Sequence, residues 1–140
     1  LSLIGPSTGR WVPEIMKENN PEDISYYPFM NGQFVFKNAV VRFTEVINAG
    51  LKKAGWKPNE IDMLIPHQAN LRIAEFVQKK FGLSDNQVYN NIQRYGNTTA
   101  ASIPIALTEA WEEGKIEKGN KVVLAAFGSG FTWGSIMIQW

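Results

Sequence analysis

The sequence predicts an α/β fold in which helices are layered on short, buried strands. Three observations carry that expectation. Apolar residues recur at helical spacing over three separate stretches. Short apolar runs alternate with those stretches. The chain then closes on two apolar segments joined by a glycine-rich bend, which reads as a final hairpin.

Residues 1–35 are irregular and punctuated by Pro6, Gly9, Pro13, Pro21, Pro28 and Gly32, with a short strand expected near Leu1–Ile4 and extended pieces around Ser25–Met30. The pair Asn31-Gly32 is a turn signal. A helix is predicted from Phe36 to Ala54, because Phe36, Val40, Phe43, Ile47 and Leu51 fall three and four residues apart and line one face. Gly55 suits its end. Pro58-Asn59-Glu60 turns the chain into Ile61–Ile65, a mostly apolar run suited to a buried strand and stopped by Pro66.

A second helix is expected over Ala69–Phe81, with Leu71, Ile73, Ala74, Phe76, Val77 and Phe81 on its apolar side and Gly82 at its end. Ser84-Asp85 suits the cap of a short turn, Val88–Asn91 an extended piece, and Tyr95-Gly96-Asn97 a loop. The third helix is predicted over Thr99–Glu113, capped by Thr98 or Thr99 and closed by Gly114; Pro104 is compatible only with its early turns. After a turn at Lys118-Gly119-Asn120, Val122–Phe127 reads as a buried strand, Gly128-Ser129-Gly130 as a tight turn and Phe131–Trp140 as the returning strand. Trp11, Met30, Trp56 and Trp111 read as core or interface, and the lysines and glutamates of 109–121 as a solvated helix face and turn.

Composition narrows the chemistry. With 44% hydrophobic residues in 140, a packed core is expected and disorder is not. Lys and Arg number 14 against 13 Asp and Glu, so no concentrated basic face speaks for nucleic acid, although a local basic patch can still dock an acidic partner. Without cysteine there is no disulfide, thiolate metal site or cysteine nucleophile in these residues. A single histidine, His67, makes a histidine metal cluster implausible, and no metal or other cofactor is expected. No apolar run reaches the ~18 residues of a membrane span, and the first residues lack an initiator Met and the features of a secretion signal. The chain is expected to be a piece of a longer one.

Three polar loops adjoin the apolar elements. Pro66-His67-Gln68-Ala69-Asn70 puts a histidine at a strand end just before a helix N-terminus, which disfavours the imidazolium and keeps a neutral hydrogen-bond donor. A structural histidine tying down the loop suits the same position. Tyr95-Gly96-Asn97-Thr98-Thr99 puts an amide before a helix, where it can donate to a carbonyl oxygen without titrating or serve simply as a turn or cap residue. Phe127-Gly128-Ser129-Gly130-Phe131 is either a plain hairpin turn or a bend whose backbone N–H groups help form an oxyanion hole.

Taken together, the loops resemble the β-ketoacyl-acyl-carrier-protein synthase III family. Pro66-His67-Gln68-Ala69-Asn70-Leu71-Arg72-Ile73 is similar to its histidine motif, Gly96-Asn97-Thr98-Thr99-Ala100-Ala101-Ser102-Ile103-Pro104 to its asparagine motif, and Phe127–Gly134 to its terminal glycine loop and strand. Asn31-Gly32-Gln33-Phe34-Val35-Phe36-Lys37 resembles the approach to the first long helix, whereas residues 1–29 match poorly. The resemblance implies the C-terminal half of a thiolase-like fold, a mixed sheet with helices packed on it, whose cysteine lies in the absent N-terminal half.

By the same resemblance, residues 1–140 form the C-terminal domain of a cytoplasmic, homodimeric enzyme that condenses acyl-CoA with malonyl-acyl-carrier protein. His67 and Asn97 are implied to be catalytic, donating hydrogen bonds to the malonyl thioester carbonyl, with His67 also helping to generate the thiolate. Phe127 and Ser129 are implied to line the oxyanion and acyl pocket; glycine is more usual where Ser129 stands. Gly32, Phe36, Asn70 and Ile73 match the pantetheine channel, and Lys37 and Arg72 the basic patch that meets the carrier protein. Elongating synthases place a second histidine where Asn97 stands, and thiolases a second cysteine; this chain has neither. A synthase III-like enzyme of secondary metabolism and a carrier-protein-binding module without catalysis are the alternatives.

Overall fold

The computed structural model describes Ser2–Leu3 and residues 28–140. Two compact units divide the chain, Leu1–Val35 and Phe36–Trp140. In the first, strand β1 (Ser2–Leu3) pairs antiparallel with β2 (Pro28–Phe29), with Ser2 opposite Phe29. The extended pieces expected near Leu1–Ile4 and Ser25–Met30 thus include these strands; Leu1, Ile4, residues 25–27 and Trp11 lie outside the described residues.

Helix α1 (Gly32–Ala54) starts four residues before the expected Phe36. Asn31-Gly32 is therefore a helix start and not a turn. The Asn31 Oδ1 accepts the Phe34 backbone N–H at 3.0 Å, satisfying one of the first-turn donors that have no partner inside a helix. Ala39, Val40, Phe43, Ile47 and Leu51 are its buried row. At its end Gly55 takes φ +71°, its N–H donates to Lys52 O and the Trp56 N–H to Leu51 O. That left-handed closure suits a residue without Cβ, and Gly82 ends the next helix in the same way.

A 3-10 turn at Pro58–Glu60 leads into β3 (Met63–Pro66), all four of whose residues are buried. Helix α2 (Leu71–Phe81) is capped by Asn70, whose Oδ1 accepts the Arg72 N–H at 2.9 Å. After a 3-10 turn at Asp85–Gln87, with Ser84 at its N-cap, Val88 makes a parallel bridge to Leu64. A one-turn helix α3 (Ile92–Tyr95) follows. It was not expected, because four residues are too few to show helical periodicity. A 3-10 turn at Thr99–Ala101 precedes α4 (Ser102–Glu112), and β4 (Lys121–Gly128) and β5 (Thr132–Gln139) form the closing hairpin. Neither Thr98 nor Thr99 caps α4 through its side chain: Thr98 Oγ1 instead shares a hydrogen bond with Ser102 Oγ.

The sheet runs β3-β4-β5, parallel between β3 and β4 and antiparallel between β4 and β5, and so is mixed. Alternate residues of a strand face opposite sides. Met63 and Ile65 of β3 and Val122 and Leu124 of β4 pack with Ala106 and Ala110 of α4. The other face takes α1: Ser135 Oγ donates to Val46 O at 2.8 Å, and a Cβ on Gly50 would meet Met137 Cε at 2.2 Å. Ser135 and Met137 pair with Ala125 and Val123, which fixes that face. Helices thus cover both sides of the sheet. Trp56 is half-buried, with Lys121 Nζ 5.3 Å from its ring centre. Met30 and Trp111 are both 56% exposed, which removes them from the core of the described residues.

Candidate active site

His67 follows directly on β3. Its N–H donates to Ala125 O at 2.7 Å, extending the parallel ladder by one bond, and its own O accepts the Ala69 N–H at 2.9 Å. The histidine backbone is therefore held on both sides at the carboxyl end of two parallel strands, the end where α/β sheets place their ligands. Its side chain is half-buried. Burial holds the imidazole below its ordinary range, because removing water disfavours the charged form. Desolvation thus favours the same neutral form that the neighbouring helix N-terminus is expected to favour.

A folded-state value below the unfolded one means that the neutral form contributes stability above about pH 6.5, lost as pH falls through the folded midpoint. Because His67 is the only histidine, its imidazole gives a single set of NMR resonances. Their titration midpoint is expected below about 6.5, and a midpoint at or above that value would remove the argument for a neutral donor.

Asn97 lies between α3 and the 3-10 turn before α4. Its Oδ1 accepts the Thr99 N–H at 2.9 Å, and Thr99 takes φ +52°, a region costly for a β-branched residue. With the carbonyl side of the amide turned to the backbone, Nδ2 is the group left to donate outward from this exposed residue.

The His67 loop is tied to the segment that leads into α3, ahead of Asn97, by Gln68, which is 3% exposed. Its Nε2 donates to Pro66 O at 2.7 Å and Tyr89 O at 3.3 Å, and its Oε1 accepts the N–H groups of Asn91 at 3.0 Å and Ile92 at 3.1 Å. Glu109 of α4 holds the same segment from the other side. It accepts from Asn91 Nδ2 at 2.8 Å, Arg94 Nη2 at 2.7 Å and Tyr95 OH. Those donors, Asn91 foremost, pull its carboxyl below the usual carboxylate range. Tyr89 donates to Glu113 at 2.7 Å, and burial first, then that carboxylate, push its hydroxyl up to about 12. Half-buried Glu109 thus anchors the segment that leads to Asn97, while Glu113 stays exposed, as do Glu112, Lys115, Glu117 and Lys118, in keeping with the solvated face expected there.

Phe127 is buried near the end of β4, two residues beyond the carbonyl that receives the His67 N–H, with its ring 4.8 Å from that of Phe131. Ser129 is exposed in the β4–β5 turn, where its O accepts from Thr132 Oγ1. Phe36 of α1 and Arg72 of α2 come together, the guanidinium 5.9 Å from the ring centre. Ile73 is buried, Asn70 serves as the α2 cap, Lys37 is exposed, and Gly32 opens α1 with nothing within 4 Å of where its Cβ would be. Neither the role of Gln68 nor that of Glu109 is visible in the sequence. Only the Asn91-to-Tyr95 segment folded between them reveals either. Among the described residues no helix is long and apolar enough to cross a membrane, and no group of three His, Asp or Glu is placed to hold a metal.

Residues 51–140 match the family described as 3-oxoacyl-acyl-carrier-protein synthase III C terminal. The β-ketoacyl-acyl-carrier-protein synthase III of Desulfotalea psychrophila is 51% identical over 111 residues, which is 79% of this chain and 34% of that protein. The enzyme of the same name from Symbiobacterium thermophilum is 44% identical over 141 residues, covering 99% of this chain and 41% of its own length. The crystal structure of 3-oxoacyl-acyl-carrier-protein synthase III from Aquifex aeolicus superposes with a TM-score of 0.80 at 46% identity, over 84% of this chain and 38% of that one. The Thermus thermophilus enzyme gives 0.78 at 44%, over 80% and 35%. This chain thus spans about a third to two fifths of these proteins, and in its α/β layers, its mixed sheet and its sequence it belongs to the 3-oxoacyl-acyl-carrier-protein synthase III family as a C-terminal domain.

Proposed function

We propose that residues 1–140 are the C-terminal domain of a β-ketoacyl-acyl-carrier-protein synthase III that begins fatty acid synthesis, and that His67 and Asn97 stabilise the charge formed during its condensation. The observation that carries this reading is a pair of uncharged donors, a His67 imidazole pushed toward its neutral form by burial and an Asn97 whose Oδ1 is already occupied, with one buried amide linking the His67 loop to the segment that leads to Asn97.

In the first half-reaction a cysteine thiolate of the N-terminal half attacks acyl-CoA, the new thioester forms and coenzyme A leaves. In the second, the bond between the malonyl carboxylate and its α-carbon breaks. CO2 departs, and the electron pair is delocalised as an enolate onto the thioester oxygen. His67 and Asn97 donate hydrogen bonds to that oxygen, where the charge grows, so they favour the transition state over the ground state. The α-carbon then attacks the acyl-enzyme and expels the thiolate. Backbone N–H groups of the turn around Ser129 receive the second oxyanion, and Phe127 bounds the acyl pocket. Gly32, Phe36, Asn70 and Ile73 border the pantetheine arm, and Lys37 and Arg72 meet the acidic carrier protein.

The complete protein acts as a cytoplasmic homodimer on this reading. The 140 residues alone carry no thiol and form no acyl-enzyme. The test is to supply the complete protein with malonyl-carrier protein and a panel of acyl-CoA starters. Ketoacyl product supports the reading and identifies the starter. Absence of both product and malonyl decarboxylation with every starter would replace it by a carrier-protein-binding role.

A further inference from the structure

We propose that Gln68 is a positioning residue that sets the His67 and Asn97 donors relative to one another, an assignment that rests on the function proposed above. All of its hydrogen-bonding capacity is spent on backbone. Both Nε2 hydrogens are used, toward Pro66 O and Tyr89 O, and Oε1 accepts two N–H groups, those of Asn91 and Ile92. Pro66 immediately precedes His67. The Asn91 and Ile92 N–H groups stand at the start of α3, where a helix has no internal acceptor for them.

α3 is a single turn whose C-cap is Gly96, with the Gly96 N–H donating to Ile92 O at 2.8 Å, and Asn97 comes next. One side chain therefore reaches from the peptide before the histidine to the turn that delivers the asparagine, across 23 to 24 residues of sequence. An amide suits the task better than any alternative. A carboxylate offers no donor to two carbonyls, an amine no acceptor to two N–H groups, and an apolar side chain leaves all four backbone groups unsatisfied. Being uncharged, the link also keeps its geometry when pH changes.

The test uses the complete enzyme with Gln68→Leu and Gln68→Glu. The first removes all four bonds. The second keeps the acceptor toward Asn91 and Ile92 and sets a carboxylate oxygen against Pro66 O and Tyr89 O. Malonyl decarboxylation is expected to lose about 10- to 100-fold in kcat in each folded variant, with KM within about threefold, since misplacing a donor by an ångström costs rate on that order. A residue that sets the two donors relative to one another has little left to set once the Asn97 donor is gone. Adding Gln68→Leu to Asn97→Ala is therefore expected to cost at most about threefold more. Unchanged kcat in a variant that keeps the parent's circular dichroism, or full additivity with Asn97→Ala, would overturn the proposal and leave Gln68 a purely structural amide. A parent enzyme without malonyl decarboxylation would instead overturn the proposed function.

Discussion

Exchanging Asn97 for Asp in the complete enzyme is expected to slow malonyl decarboxylation by about 10²–10³-fold, equivalent to about 2.7–4 kcal/mol of lost transition-state stabilisation. The substitution separates two uses of one amide. Aspartate keeps an oxygen to accept the Thr99 N–H, so the local turn survives. It loses only the donor, and it brings a negative charge toward an oxygen that is itself becoming negative. Asn97→Ala gives up the turn bond as well, at a cost of about 1 kcal/mol in stability, yet presents no repelling charge. The aspartate variant is thus expected to be at least as slow as the alanine variant while melting closer to the parent.

His67→Ala is expected to fall in the same range, because the backbone bonds of His67 to Ala125 and Ala69 are indifferent to the side chain. Release of CO2 from malonyl-carrier protein measures both. A loss of less than about threefold in either would place charge stabilisation elsewhere.

The largest stability effect is expected at Ile65. This residue is 0% exposed, pairs in register with Leu124 and packs with Ala106 and Ala110 of α4. Ile65→Ala removes three carbons from a site held by the sheet on one side and a helix on the other, where collapse into the void is limited. A cost of about 2–5 kcal/mol is expected. At roughly 4 °C per kcal/mol for a unit of this size, the melting temperature of the chain falls by on the order of 10 °C. Ile136, 59% exposed on β5, has the same side chain and almost no burial to lose, so Ile136→Ala is expected to stay within about 0.5 kcal/mol. Comparable thermal shifts for the two would show that sheet burial does not govern stability here.

The parts of the fold legible in sequence are those whose pattern is set by burial alone. Val40, Phe43, Ile47 and Leu51 show the helical period because one face of α1 is buried against the sheet. Val122–Phe127 is a continuous apolar run because helices cover both faces of β4. His67 and Asn97 stood out because each adjoins an element boundary.

What escaped the sequence depends on partners distant along the chain. α3 is one turn with no repeat to detect, and it is held by Gln68 and Glu109 from either side. Glu109 looks like any exposed helical glutamate until Asn91, Arg94 and Tyr95 are folded onto it. Asn31-Gly32 reads equally as a turn or as a cap with its first helical residue, and only the Phe34 N–H decides between them.

The parallel pairing of β3 with β4 also bears on the order in which the protein is made. Met63 pairs with Val122, so the strand that leads into the histidine waits for 59 more residues before β4, its partner in the sheet, exists. At typical rates of synthesis that interval is roughly 3–12 s. An apolar strand left unpaired for seconds invites pairing with other nascent chains. β3 limits that exposure by being only four residues long and by ending in Pro66, which offers no N–H to an incoming strand. The short strand and its terminal proline thus leave little edge for an incoming strand to pair with in the interval before β4 is made.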